Sequence, residues 1–168
     1  MTEFVQRAPA IGASLREPPP CTAAIHRTPP WIVRFYEAYL SADPAQLDAV
    51  LDDDVSWLIS GPAEQVDFFG LRRGKPAVIE LITRIVPCYQ KLTGFEIEQL
   101  LVEGEKAAVF GRICAQQRET RRSIRFAFAH FLRFRDGRLI SMRALADSFD
   151  AIEQIMGCRI TLATEPGR

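Results

Sequence analysis

The sequence predicts an α+β fold: a cone-shaped half-barrel in which a strongly bent, mainly antiparallel sheet wraps on about three N-terminal helices, with a short closing helix at the C-terminal end. Three observations lead there. Helix-spaced apolar residues dominate the first half of the chain, with one early strand among them. Period-two alternation dominates the second half, where four strands follow one another. Asp136-Gly137, set between alternating segments, is a hairpin turn, because both turn positions need φ > 0. Strands segregated late in a chain belong to α+β rather than to a parallel α/β sheet. Helices over one face of such a sheet leave a conical cavity, a common kind of ligand site.

The elements follow in order. Residues 1–29 are rich in proline, with Pro18-Pro19-Pro20 and Pro29-Pro30, and read as a flexible or polyproline-like extension. It carries Glu3, Arg7, Arg16 and Glu17 with no uninterrupted apolar core, so it does not read as a signal peptide. The folded unit spans residues 30–160, and residues 161–168 form a tail. Pro30 suits the first turn of a helix whose stripe is Ile32, Phe35, Tyr36, Tyr39 and Leu40. Asp43-Pro44 reads as N-cap and first position of a second helix, with Leu47, Val50 and Leu51 on its buried side. Asp52-Asp53-Asp54 reads as a solvated turn before a strand in which Val55, Trp57 and Ile59 face inward.

Gly61-Pro62 ends that strand, and a loop runs on to Gly74. Its Phe68-Phe69 pair must be covered, either by packing on the core or by capping a cavity. Lys75–Val86 forms the third helix, with Val78, Leu81, Ile82, Ile85 and Val86 as its stripe, and Pro87 should stop or kink it. Strands at about 93–102 and 106–116 join at Glu103-Gly104-Glu105. Ala107, Val109, Gly111, Ile113 and Ala115 share one face of the second of these. Ser148–Met156 closes the fold, with Phe149, Ile152, Ile155 and Met156 inward and Gly157 as C-cap.

Composition excludes several roles. Formal net charge is zero, which argues against a nucleic-acid or membrane-surface function. No apolar run approaches the roughly 20 residues of a membrane span. Cys21, Cys88, Cys114 and Cys158 show no metal or redox spacing and read as ordinary thiols of a reducing, cytoplasmic setting. No metal or other cofactor is expected. A chain of this length buries roughly 70% of its unfolded surface and needs no staple.

The lead to function is His130. On the strand before the hairpin, Ile124, Phe126, Phe128, His130, Leu132 and Phe134 share one face, so a single titratable group sits in an apolar stripe. It is either a core histidine bonded to a carbonyl or hydroxyl, or a group that handles a proton in a cavity. Burial favours the neutral imidazole in both cases. The arginines of the opposite face, Arg112, Arg125, Arg133, Arg135 and Arg143, read as a solvated surface or a homodimer interface.

Several segments together resemble the SnoaL-like branch of the nuclear-transport-factor-2-like superfamily, which includes steroid delta-isomerases and polyketide cyclases. They are Phe35–Asp43, Leu51–Trp57, Phe69–Lys75 and the closing hairpin Phe134–Ile140 with Ser141–Leu145. The resemblance covers about Trp31 to Gly157. It implies that Tyr36 stands where the isomerases hold the enolate oxygen with a tyrosine, and His130 near their protonated aspartic acid. Ile59 stands where they carry the base and cannot take a proton, so the usual steroid isomerase reaction is not expected. The cyclases use a histidine and an aspartate on the last strands, here His130 and Asp147. Related epoxide hydrolases use an Asp–Arg–Asp arrangement, for which Asp147 lacks a partner aspartate.

Whether Asp147 faces the cavity depends on the hairpin. A plain two-residue turn sets His130 opposite Arg143 and puts Asp147 on its face. A bulge instead turns Ile140, Met142, Ala144 and Ala146 inward and Asp147 away, where it can cap the final helix. The expected catalytic set is His130, Tyr36 and Asp147. Trp57, Ile59, Phe68, Phe69, Phe126, Phe128 and Met142 are expected to line the pocket. The expected partner is a small apolar carbonyl compound, acted on by cofactor-free acid–base chemistry. The alternative is a non-catalytic ligand-binding or dimerisation module.

Overall fold

The computed structural model describes residues 28–64, 66–146 and 148–156. The chain runs α1 (Pro30–Ser41), α2 (Pro44–Val50), β1 (Leu51–Ile59), β2 (Gly70–Arg73) and α3 (Lys75–Glu80). A π-helical turn (Leu81–Ile85) and α4 (Val86–Tyr89) follow, then β3 (Gln90–Glu103), β4 (Lys106–Gln117), β5 (Ser123–Arg135), β6 (Arg138–Ala146) and α5 (Ser148–Met156). The six strands form one sheet in the order β2-β1-β6-β5-β4-β3. All neighbours are antiparallel except β1 and β6, which run parallel. The sheet curls around its helices as an open cone.

The inner face alternates as the pleat requires. Val109, Ile113 and Ala115 on β4 and Ile124, Phe126, Phe128, Leu132 and Phe134 on β5 are buried against Phe35, Tyr36 and Leu47 of the helices. Gly111 permits a close approach of its neighbours. A Cβ there would lie 2.0 Å from the Glu96 carbonyl oxygen and 3.0 Å from the Phe128 ring, so only glycine lets β3 and Phe128 close in. On the outer face, Arg112 pairs with Glu98 at 3.0 Å and Arg125 with Glu96 at 3.1 Å.

Asp43 caps α2, its Oδ1 accepting from the amides of Ala45 (2.8 Å) and Gln46 (3.1 Å), ahead of Pro44. Elsewhere the local reading is corrected. Asp52-Asp53-Asp54 is part of β1, not a turn before it. Aspartate is a poor strand former, but two of these carboxylates are latched. Asp52 meets Arg135 at 2.9 Å, and Asp53 meets the buried Lys75 at 2.8 Å, with Asp48 also 3.3 Å from that ammonium. The loop before Gly74 contains the edge strand β2, which alternation could not reveal because Leu71 on it is exposed.

Pro87 does not stop the third helix. The preceding turn widens, Val86 N–H donating to Leu81, and the chain stays helical to Tyr89. Widening relieves the clash between a proline ring and the carbonyl one turn back. Two stripe positions also differ. Leu40 on α1 is exposed, at the rim of the cavity described below, and Met156 on α5 points outward while Ala151, Ile152 and Ile155 are buried. The extension before residue 28, the Gly157 cap, the tail and Asp147 lie outside the described residues, as does the side chain of Phe149.

Candidate functional site

Both hairpin alternatives are present in part. Arg135 pairs with Arg138 across the two-residue turn, where Asp136 and Gly137 adopt φ of 51° and 75°. A bulge then intervenes between Phe134 and Arg133, at Ile140. Beyond it Leu132 faces Met142, His130 faces Ala144 and Phe128 faces Ala146. The inward face of β6 is therefore Met142, Ala144 and Ala146, the more apolar choice, because the bulge flips the parity of the strand from Ser141 to Ala146.

These residues and the helices enclose a cavity in two adjoining chambers. The inner one, about 70 Å³, is walled by Phe68, Phe69, Phe126, Phe128, His130, Met142 and Ala144, and by Ala151 and Ile155 of α5. The outer one, about 200 Å³, is bounded by Leu81, Ile82, Val86 and Pro87 around the π turn. Its rim carries the exposed Leu40, Lys91 and Leu92, together with Arg118. Tyr39, Trp57, Ile59, Val86, Gln90 and Ile113 line both. Phe68 and Phe69 are buried and also wall the inner chamber, so the two alternatives for that pair coincide. No carboxylate among the described residues lines either chamber.

His130 is 3% exposed. Its ring packs on Phe128 at 4.3 Å between centroids and lies near parallel to Tyr36, at 6.1 Å and 10°. The Tyr36 hydroxyl lies 3.1 Å from Nδ1 of His130. Tyr36 does not line the cavity; it stands behind the imidazole, on α1. Burial pushes the His130 imidazole down to about 3, so the ring is neutral at physiological pH. Burial, with Tyr39 adding a smaller push, holds the Tyr36 phenol far above its ordinary range, and burial pushes Tyr39 up to about 12. The apolar wall that gives the cavity its volume thus also keeps all three groups uncharged.

Two features escaped the sequence reading. Gln90, the first residue of β3, lines both chambers, and a lone glutamine just past a helix end gives no signal for that. Gln154 of α5 accepts from Arg125 N–H at 2.8 Å and donates to the Arg125 carbonyl at 3.2 Å. It thereby closes the flank of β5 beyond the last β6 pairing and holds α5 over the inner chamber. Among the described residues no group of histidine, cysteine, aspartate and glutamate side chains is arranged to hold a metal ion.

A bent sheet closed by helices over an apolar cavity with a few convergent polar groups defines the class of small-molecule pocket proteins. The chain belongs to the SnoaL-like domain family, whose sequence profile matches residues 32–142. Among solved structures, it is similar to an inferred isomerase from Rhodopseudomonas palustris (31% identity, 78% of this chain and 99% of that one, TM-score 0.71). It is also similar to an NTF2-like protein of unknown function from Burkholderia pseudomallei (25% identity, 74% and 94%, TM-score 0.67). TerC, co-crystallised with polyporic acid, shares the fold at 20% identity (75% and 95%, TM-score 0.65). No curated protein matches. No helix among the described residues is long and apolar enough to cross a membrane.

Proposed function

We propose that the protein binds a small, mostly apolar carbonyl compound in the cone and promotes an isomerase-type reaction on it by hydrogen-bond polarisation, without a cofactor. The observation that carries this reading is the buried Tyr36–His130 pair behind the wall of an apolar cavity. The phenol keeps its proton and donates it to Nδ1, so Nε2 carries the imidazole proton. An imidazole whose conjugate acid has a pKa of about 3 is too weak a base to take a proton from carbon. His130 is therefore the donor that stabilises the oxygen of a forming enolate, not the base. A buried neutral imidazole suits that task because its N–H is fixed in a low-dielectric wall before charge develops. Asp147 is the proposed base: β6 ends at Ala146, so the pleat that would turn the next residue outward stops one position short of it, and the inferred isomerase from Rhodopseudomonas palustris supports the reaction class. Association as a homodimer through the arginine-bearing outer sheet face is part of the same reading.

A second reading is favoured by the lack of a carboxylate among the described lining residues: a module that binds the same compounds without converting them. Exchange of α-hydrogens for deuterium separates the two. Aromatic and steroid-like ketones that bind should exchange in D2O in the presence of the protein. His130→Ala should slow exchange by roughly 10²–10³, the range for losing one oxyanion donor, and Asp147→Asn should abolish it. Binding without any exchange would establish the module instead.

A further inference from the structure

Two buried polar atoms of the cavity residues find no hydrogen-bond partner among the described residues: Nε1 of Trp57, a donor, and Oε1 of Gln90, an acceptor. Trp57 is 1% exposed, and both residues line the inner and the outer chamber. Neither takes part in the Tyr36–His130 pair. Native proteins leave few buried polar atoms unmade, because each forfeits its bond to water without a replacement. Two such atoms of opposite hydrogen-bonding sense belong to residues that line the same apolar chambers, where a ligand can supply the missing partners.

We propose that Trp57 and Gln90 anchor a hydroxyl or enol group of the ligand. A hydroxyl supplies both missing roles, its oxygen accepting from the indole N–H and its proton donated to the Gln90 carbonyl. An ether or a ketone supplies only the first, and a hydrocarbon neither. The aromatic and aliphatic walls take the rest of the molecule, so the substrate class narrows to hydroxylated or enolised ring compounds. This rests on the cone being a ligand cavity, but not on catalysis at His130.

The test uses the full chain and three probes of one shape, 2-naphthol, 2-methoxynaphthalene and naphthalene, with affinities measured by calorimetry. 2-Naphthol should bind roughly tenfold tighter than either of the others. Gln90→Met and Trp57→Phe should each remove roughly tenfold of the naphthol affinity and leave naphthalene within about twofold. If Trp57→Phe fails to fold, Gln90→Met carries the test. That variant should also raise the melting temperature of the free protein, since it deletes a buried acceptor with nothing to accept, whereas a purely structural Gln90 would lower it. Equal binding of all three probes, or a Gln90→Met variant that binds naphthol as the parent does, overturns the anchor alone. Failure of every probe to bind overturns the anchor and the ligand cavity together.

Discussion

The Tyr36 hydroxyl on α1 and Nδ1 of His130 on β5 meet at 3.1 Å although 94 residues separate them in the chain. The bond crosses the core from the helix layer to the sheet, and it satisfies both polar groups where water cannot. In the proposed arrangement the phenol donates to Nδ1, which leaves the imidazole proton on Nε2, toward the cavity.

Tyr36→Phe keeps the ring and removes the hydroxyl, stranding Nδ1 without a partner in an apolar surround. The expected cost is about 1–3 kcal/mol, read from the urea midpoint of the variant against the parent. An unchanged midpoint would mean that the pair contributes nothing to the fold.

Stability should depend on pH through His130. Its folded pKa is about 3, and its unfolded value is near 6.5. Above pH 6.5 the ring is neutral in both states and adds no slope. As pH falls from 6.5 toward 3 the unfolded chain binds a proton that the folded one refuses, so stability drops by up to about 1.4 kcal/mol per pH unit. His130→Gln lacks this term, so the variant should gain on the parent steadily between pH 6 and pH 4. Parallel stability curves would contradict the burial argument.

Gly111→Ala tests the close approach of β3 to β4. The added carbon would sit 2.0 Å from the Glu96 carbonyl oxygen, a backbone atom that cannot swing aside. A loss of about 3 kcal/mol or outright failure to fold is expected, checked by chemical denaturation. A stable variant would show that β3 and β4 can part at this point without cost.

Gln154→Ala removes both bonds that tie α5 to Arg125. A global loss of about 1–2 kcal/mol is expected, and amide hydrogen exchange should quicken in α5 before it does in β5. Uniform exchange across the two elements would mean that apolar packing alone seats the helix.

The cone was legible in the sequence wherever one face of an element is wet and the other dry. The alternation through Ile124, Phe126, Phe128 and His130 gave β5, and Asp43-Pro44 gave the start of α2. Legibility failed where long-range contacts overrule local preference. Asp52 and Asp53 lie in a strand because Arg135 and Lys75 neutralise them, and neither partner is near in sequence. The π turn before Pro87 and the bulge at Ile140 are single-residue adjustments that a period cannot resolve. At the site, the odd residue in the stripe, His130, was visible. Its partner Tyr36 came from the family resemblance. The orphaned atoms of Trp57 and Gln90 came from neither, since an absent hydrogen bond has no sequence signal.

In the proposed mechanism a neutral His130, its Nδ1 capped by Tyr36, offers an N–H from Nε2 to a ligand in the cavity. Nitrogen-15 NMR of the imidazoles reads this directly, because the chain has only two histidines, His26 and His130. His130 should stay neutral down to pH 4 with its proton on Nε2, and adding 1-indanone should shift that nitrogen's resonance in the parent protein. A ring protonated on Nδ1, or an Nε2 signal unmoved while the ketone binds, would contradict it.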